Sequence, residues 1–140
     1  MAINTSVERL LISDNHAGGR GAEAIAAMMQ EKKNLVELDI STNQMQSRGI
    51  NALADAIPLS QKLTSLDLSE NLLVDRDACG LVGGLLENTS IKRLYLQRND
   101  FGRSSFFIPF LKLQTYRKEI IHRRSGRRSF LPIALRRDDD

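Results

Sequence analysis

The chain has 140 residues, of which 41% are hydrophobic and 5% aromatic, and its formal net charge is +3. This length allows one domain with a sizeable core, and the composition is that of a globular protein rather than a disordered chain. A single cysteine excludes an internal disulfide framework. The sequence shows no basic-then-apolar leader and no apolar run long enough to span a bilayer, so we expect a cytoplasmic protein, with the nucleus as the alternative location.

The charge is distributed unevenly along the chain. Residues 1–100 contain 10 Lys and Arg against 13 Asp and Glu, a net charge of −3. Residues 101–140 contain 10 against 4, a net charge of +6. The basic character of the whole chain therefore belongs to its C-terminal part.

One motif of the form L-x-x-L-x-L-x-x-N occurs four times, with a constant step between its starts at positions 7, 35, 63 and 91. The copies read VERLLISDN, LVELDISTN, LTSLDLSEN and IKRLYLQRN. The alternating apolar residues predict a short strand in each copy, and we expect successive strands to pair in parallel. The resulting 28-residue period indicates a repeat array in which each unit packs only on its neighbours.

Each motif ends in an asparagine. We expect these side-chain amides to bond backbone groups in the turn and in the next repeat, satisfying donors and acceptors that would otherwise be buried without partners. The predicted structural ladder consists of Asn15, Asn43, Asn71 and Asn99.

A helix is predicted after each of the first three strands: 22–30, then 48–57 with Ser47 as its N-cap and Pro58 at its end, and then about 75–87. Cys79 is expected to be a small buried residue of the third helix. The fold class is therefore α/β: a solenoid of about four repeats, with short parallel strands on the concave face and helices on the convex face.

The pattern decays in the fourth repeat. Pro109 is tolerable in a fourth helix only within its first turn, and no leucine motif begins at residue 119. The sequence thus predicts a repeat domain over residues 1–118 and a basic, disordered tail over 119–140, with six arginines in Arg123–Arg137. Nucleic-acid or anionic-surface binding through this tail is an alternative function.

The segment Gly49–Ile57 reads G-x-x-A-L-A-x-A-I and completes a 28-residue repeat. In these features the chain resembles the leucine-rich repeat family, in its ribonuclease-inhibitor-like subclass. That subclass includes ribonuclease inhibitor, the repeat regions of cytosolic innate immune receptors and the Ran GTPase-activating protein. The resemblance implies a concave protein-binding surface, and regulation of a small GTPase is a minor alternative.

Function is expected to lie in the outward positions of the strands. The middle repeats place acids there that could receive a basic partner, and the last repeat places a tyrosine between arginines, which favours an interface anchor. The predicted partner-binding residues are Glu37, Asp39, Asp67, Glu70, Arg93, Tyr95 and Arg98. The partner is a protein whose identity the sequence does not give.

No catalytic, cofactor-binding or metal-binding residues are predicted. The chain has two histidines, His16 and His122, and Gly18–Gly21 lacks the lysine and hydroxyl spacing of a phosphate-binding loop. We therefore expect a non-enzymatic interaction module. Since four repeats are near the minimum for a stable stack and no end cap is evident, we expect a marginally stable monomer or a fragment of a longer array.

Overall fold

The computed structural model describes residues 6–31, 34–102 and 119–121. The elements, in chain order, are β1 (Arg9–Leu11), α1 (Gly18–Glu31), β2 (Glu37–Asp39), α2 (Gln46–Ala56), β3 (Ser65–Asp67), α3 (Asp75–Glu87), β4 (Arg93–Tyr95) and β5 (Glu119–Ile121). A 3₁₀ turn, Ile57–Leu59, follows α2. The segment that contains Pro109 and the arginine-rich segment after 121 lie outside the described residues.

The strands form one parallel sheet in the order in which they follow along the chain. Leu10, Leu38, Leu66 and Leu94 are direct partners across the first four strands, so the period of the sequence is also the register of the sheet. The last three of these leucines are at most 1% exposed. They pack with apolar residues of the helices in one continuous core, which confirms the predicted α/β solenoid.

A fifth strand corrects the sequence analysis. Glu119–Ile121 pairs in parallel with β4, and Glu119 is the partner of Arg93. The period of the earlier repeats would place this strand two positions later, beginning at Ile121. The disorder predicted for residues 119–140 is therefore wrong for Glu119–Ile121, and for the rest of the tail it stays a prediction.

The helix starts also differ from the sequence analysis. Helix α1 begins at Gly18 and α2 at Gln46, residues with φ of 61° and 55° that turn the chain directly out of the loop. Ser47 therefore lies inside α2 and is not its N-cap. Helix α3 has the predicted bounds.

Helix α3 begins in a different way, which explains an irregularity of the sequence. Asp77 occupies the position that is Gly21 and Gly49 in the first two repeats. Val74 has an extended backbone, and its N–H donates to Oδ2 of Asp77 at 2.8 Å. Asp77 is 2% exposed. The carboxylate thus satisfies a backbone donor at the helix start, as an acidic residue at the third helical position commonly does.

The four asparagines form a hydrogen-bonded ladder that points backwards along the chain. Oδ1 of Asn71 accepts the backbone N–H groups of Asn43 (3.0 Å) and Met45 (3.4 Å). Nδ2 of Asn71 donates to the carbonyl oxygen of Ile40 at 3.0 Å. The amides of Asn43, Asn71 and Asn99 therefore each bond their own turn and the preceding repeat, rather than the next one. The side-chain amide of Asn15 bonds only its own turn among the described residues. Asn43 and Asn71 are fully buried.

A second buried amide lies at the other end of the strands. Nδ2 of Asn88 donates to the carbonyl oxygens of Ile57 (2.8 Å) and Ser60 (3.1 Å). Its Oδ1 accepts the N–H groups of Ser90 and Ile91. Asn88 thus joins the end of α3 to the previous helix–strand connection, a role that the leucine motif does not signal.

The glycines of α3 have different roles. A Cβ atom at Gly84 would overlap the carbonyl oxygen of Ala54, whereas a Cβ at Gly83 would meet nothing within 4 Å. Gly84 therefore allows α3 to approach α2 closely.

Cys79, on the same helix, is exposed, so the expectation that it is buried is wrong. Its position on α3 faces away from the residues that enter the core.

The first prediction concerns the ladder. Asn71→Ala should lower the free energy of unfolding by about 2 kcal/mol or more, because it leaves the buried N–H groups of Asn43 and Met45 without their acceptor. Asn15→Ala is the matched control: its Oδ1 accepts no hydrogen bond from the described residues, so we expect a smaller loss. Urea denaturation of both variants measures the difference. Equal losses would contradict a backward-pointing ladder.

The second prediction concerns two adjacent glycines. Gly84→Ala should destabilise the protein, because the added methyl group meets backbone of α2 that cannot move aside. Gly83→Ala should stabilise it by up to about 1 kcal/mol, the difference in helix propensity. Thermal denaturation of the two variants measures the change in midpoint temperature. The two changes should have opposite signs, and changes of the same sign would contradict this packing.

Candidate protein-binding face

The outward side chains of the strands are arranged in columns across the sheet. Arg9, Glu37, Ser65 and Arg93 are aligned by strand register, and so are Leu11, Asp39, Asp67 and Tyr95. Further columns follow in the loops, where Asp14, Thr42, Glu70 and Arg98 all have φ between 53° and 57°. The stacking therefore places residues from equivalent positions of successive repeats next to one another.

Two of the predicted acids are already neutralised by the adjacent repeat. Nε of Arg9 lies 2.6 Å from Oε2 of Glu37, and Nη1 of Arg98 lies 2.9 Å from Oε1 of Glu70. Both arginines remain about two-thirds exposed, so each ion pair contributes at most about 1 kcal/mol. Arg98 thus pairs with Glu70, and the anchor predicted at Tyr95 stays a prediction.

Asp39 and Asp67, in the centre of the face, have no cationic partner within the described part of the chain. Oδ1 of Asp39 accepts the N–H (3.0 Å) and the hydroxyl (2.7 Å) of Ser41. Oδ1 of Asp67 accepts the N–H of Ser69 at 2.9 Å, and the Ser69 hydroxyl donates to Gln97. These bonds fix the direction of the two carboxylates without removing their charge. We call Asp39 and Asp67 the acidic centre.

The environment disfavours the charge of Asp67. Burial raises the pKa of its carboxyl group above the ordinary value, and the charges of Asp39 and Glu70 raise it further. The hydrogen bonds from Ser69 act in the opposite direction but do not cancel these effects. A cation placed between Asp39 and Asp67 would relieve this repulsion.

Apolar surface borders the acidic centre. Tyr95 is half-buried on the strand next to Asp67, and Leu11 is 55% exposed on the strand next to Asp39. Leu72, in the loop beyond β3, is 47% exposed and has a φ of 60°. The sequence analysis did not select Leu11 or Leu72. An apolar residue at an outward motif position is the signal that could have identified Leu11.

Arg93 is the remaining predicted residue, and it belongs to the first column of the face. Arg93 is exposed on β4, beside Ser65 in register. Nδ1 of His16 lies 3.2 Å from Nε2 of Gln44 in the loop column.

In residues 6–31 and 34–102, no three His, Cys, Asp or Glu side chains are grouped in a way that could hold a metal ion. Within the same part of the chain, no helix has the length and apolar character needed to cross a membrane.

The third prediction follows from the pKa of Asp67. Because this pKa is raised above 3.8 in the folded state, the folded protein binds the proton more tightly than the unfolded chain does. The carboxyl group therefore destabilises the fold increasingly as the pH rises above about 3.8 through the folded pKa. Asp67→Asn keeps an acceptor for Ser69, so it should increase the free energy of unfolding at neutral pH.

This gain should shrink as the pH is lowered towards the ordinary carboxyl range, and urea denaturation at several pH values measures it. Asp55→Asn, which changes an exposed acid of α2, is the control for net charge. A gain that is independent of pH, or a loss at neutral pH, would contradict the account of Asp67.

Comparison with known proteins supports this architecture. A family model described as Leucine Rich repeat matches residues 4–26 and 31–54, which cover the first two strands and most of the first two helices. No curated protein matches the sequence. Among solved structures, the actin-binding site 2 (ABS2) of leiomodin-1 is similar in fold, with a TM-score of 0.77 and 10% sequence identity. The match covers 86% of this chain and 72% of that one.

The likeness to the leiomodin-1 domain concerns the fold alone, because the sequence identity is low. The family-model match does not resolve the subclass, so the ribonuclease-inhibitor-like assignment stays a prediction. The regular register of the parallel sheet, the buried asparagine ladder and the family-model match over the first two repeats support the interpretation of this chain as a leucine-rich repeat protein.

Proposed function

We propose that this protein is a non-enzymatic interaction module that binds a basic segment of a protein partner on its concave sheet. The observation that carries the proposal is the acidic centre. Asp39 and Asp67 lie on adjacent strands, which are about 4.8 Å apart in a sheet. They have no cation of their own among the described residues, whereas Glu37 and Glu70 do.

The proposed mode of binding places a lysine or arginine of the partner between the two carboxylates. Residues that precede and follow this cation would contact Leu11 on one side and Tyr95 on the other, since both belong to the same column. Tyrosine is enriched among residues that dominate interface energetics. The charge of the centre would accelerate association, and the apolar border would slow dissociation.

The likeness to the actin-binding site 2 of leiomodin-1 makes actin the first defined protein to test. We further propose a cytoplasmic setting, in which the exposed thiol of Cys79 stays reduced.

The fourth prediction tests the binding face. Asp39→Lys combined with Asp67→Lys should weaken binding about a hundredfold or more, because the partner's cation would meet two like charges. Asp55→Lys combined with Glu87→Lys is the matched control, with the same change of net charge at exposed positions of α2 and α3. It should bind like the original protein.

Two probes give the measurement: purified actin, and peptides selected from a random displayed library. Selected peptides should contain Lys or Arg. They should bind the variant with Asp55→Lys and Glu87→Lys but not the variant with Asp39→Lys and Asp67→Lys. If bound peptides or actin do not distinguish the two double variants, the concave face is not the binding site.

Two alternatives from the sequence analysis stay predictions. The arginine-rich segment Arg123–Arg137 lies outside the described residues, and no contact of the described chain favours nucleic-acid binding. A truncation that tests it should begin after Ile121, because removal of β5 would also expose the edge of β4. Small-GTPase regulation would appear as accelerated nucleotide hydrolysis, and no side chain placed for that role is apparent in the described residues.

A further inference from the structure

Outward residues of strands β1 to β4 form a column across the concave sheet, which we call the central column. Register places Leu11 beside Asp39, Asp39 beside Asp67, and Asp67 beside Tyr95. The column therefore reads apolar, acidic, acidic and aromatic at equal steps. Since adjacent strands lie about 4.8 Å apart, its two ends are separated by about 14 Å.

The two ends of the central column are equally far from the acidic centre. A cation held between Asp39 and Asp67 would be about 7 Å from the strand positions of Leu11 and Tyr95, one and a half strand spacings on either side. In an extended chain, alternate side chains point to the same side and are about 6.6 Å apart. A segment with its cation at the acidic centre would therefore bring the residues two before and two after it to Leu11 and Tyr95.

Polar side chains lie along both sides of the central column. The first column, on one side, consists of Arg9, Glu37, Ser65 and Arg93. On the other side, the residues two positions further along the chain in each repeat are Ser13, Ser41, Ser69 and Gln97. In the described part of this face, apolar surface is therefore only one residue wide.

This narrow pattern favours an extended segment over a helix. An α-helix with its side chains is about 10 Å wide, whereas residues on one side of a strand recur about every 6.6 Å. A helix on the central column would also rest on the polar columns, where its apolar stripe would find no apolar partner. An extended segment directs only alternate side chains at the sheet, and its backbone N–H and C=O groups point sideways, towards the polar columns.

Two half-buried side chains on one side of the central column can bond such a backbone. The hydroxyl of Ser41 donates to Oδ1 of Asp39, so its oxygen keeps lone pairs that can accept a hydrogen bond. Oε1 of Gln97 accepts the hydroxyl of Ser69 at 3.0 Å, which leaves Nε2 of Gln97 as a donor. This side of the column thus offers both an acceptor and a donor to an extended segment.

We infer that the bound segment is extended, that it crosses strands β1 to β4, and that apolar residues stand two positions before and two positions after its Lys or Arg. The inference rests on the proposed function, because it describes the segment that the acidic centre binds. The partner is then recognised through a short linear motif in which a cation lies between two apolar residues at alternate positions. The intervening side chains point away from the sheet, so their identity is free.

The peptides selected from the displayed library against the full chain test the inference. In peptides that lose binding to the variant with Asp39→Lys and Asp67→Lys, moving the apolar residues by one position should weaken binding at least tenfold, because it turns them away from the sheet. A lactam bridge between two peptide residues four positions apart, which imposes a helix, should also weaken binding at least tenfold. The same peptide with these two residues unbridged is the matched control.

Protein variants locate the apolar contact. Tyr95→Ala should weaken peptide binding at least fivefold. In that variant, replacing one of the two apolar peptide residues by alanine should cause little further loss, because its contact is already absent. Leu72→Ala is the matched control: Leu72 is 47% exposed but lies in the loop beyond β3, outside the central column, so binding should be unchanged.

The outcomes separate this inference from the proposed function. If no selected peptide distinguishes the variant with Asp39→Lys and Asp67→Lys from the one with Asp55→Lys and Glu87→Lys, the proposed function fails and this inference fails with it. If peptides do distinguish them, three results would overturn the inference while the proposed function stands. These are binding that the lactam bridge leaves unchanged or strengthens, binding that tolerates the shift by one position, and binding that Tyr95→Ala does not weaken.

Discussion

The bonds from the buried asparagine amides to the backbone of the preceding repeat hold this structure together. The strands are short, so the sheet alone supplies few hydrogen bonds between repeats. Beyond each strand the chain turns through residues with positive φ, which leaves backbone N–H groups facing the next repeat. The amide of Asn43, Asn71 or Asn99 satisfies them in pairs. Because each amide spans two repeats, the repeats stay in register, and every side chain between the leucines has a fixed neighbour.

The fixed register explains how the concave face can carry function without disturbing the core. Arg9 and Arg98 pair with acids at the margins of the face, whereas Asp39 and Asp67, in the middle, have no cationic partner among the described residues. Burial and repulsion raise the pKa of Asp67, so this arrangement costs folding stability. Sites that bind charged partners commonly keep such unfavourable groups, since relief of the repulsion adds to affinity.

Departures from the period show what the stack tolerates. The third repeat starts its helix with an Asp77 carboxylate in place of a positive-φ residue, and the register of the leucines is unaffected. The fifth strand follows its predecessor after a shorter connection than the others, yet it pairs in parallel with β4. Variation in the connections is therefore absorbed locally, because each repeat contacts only its neighbours.

The sequence by itself determined the features that repeat at a fixed spacing. Leu38 and Leu66 identify the buried side of the strands, Asn43 and Asn71 the turns, and the bounds of α3 follow from its local pattern. Contacts between side chains of neighbouring repeats were decided by the tertiary structure. The pairing of Arg98 with Glu70, the burial of Asp67, the exposure of Cys79 and the backward direction of the amide bonds all depend on where the side chains of adjacent repeats lie in space. No local pattern records those positions, because they are set by the stacking of the repeats.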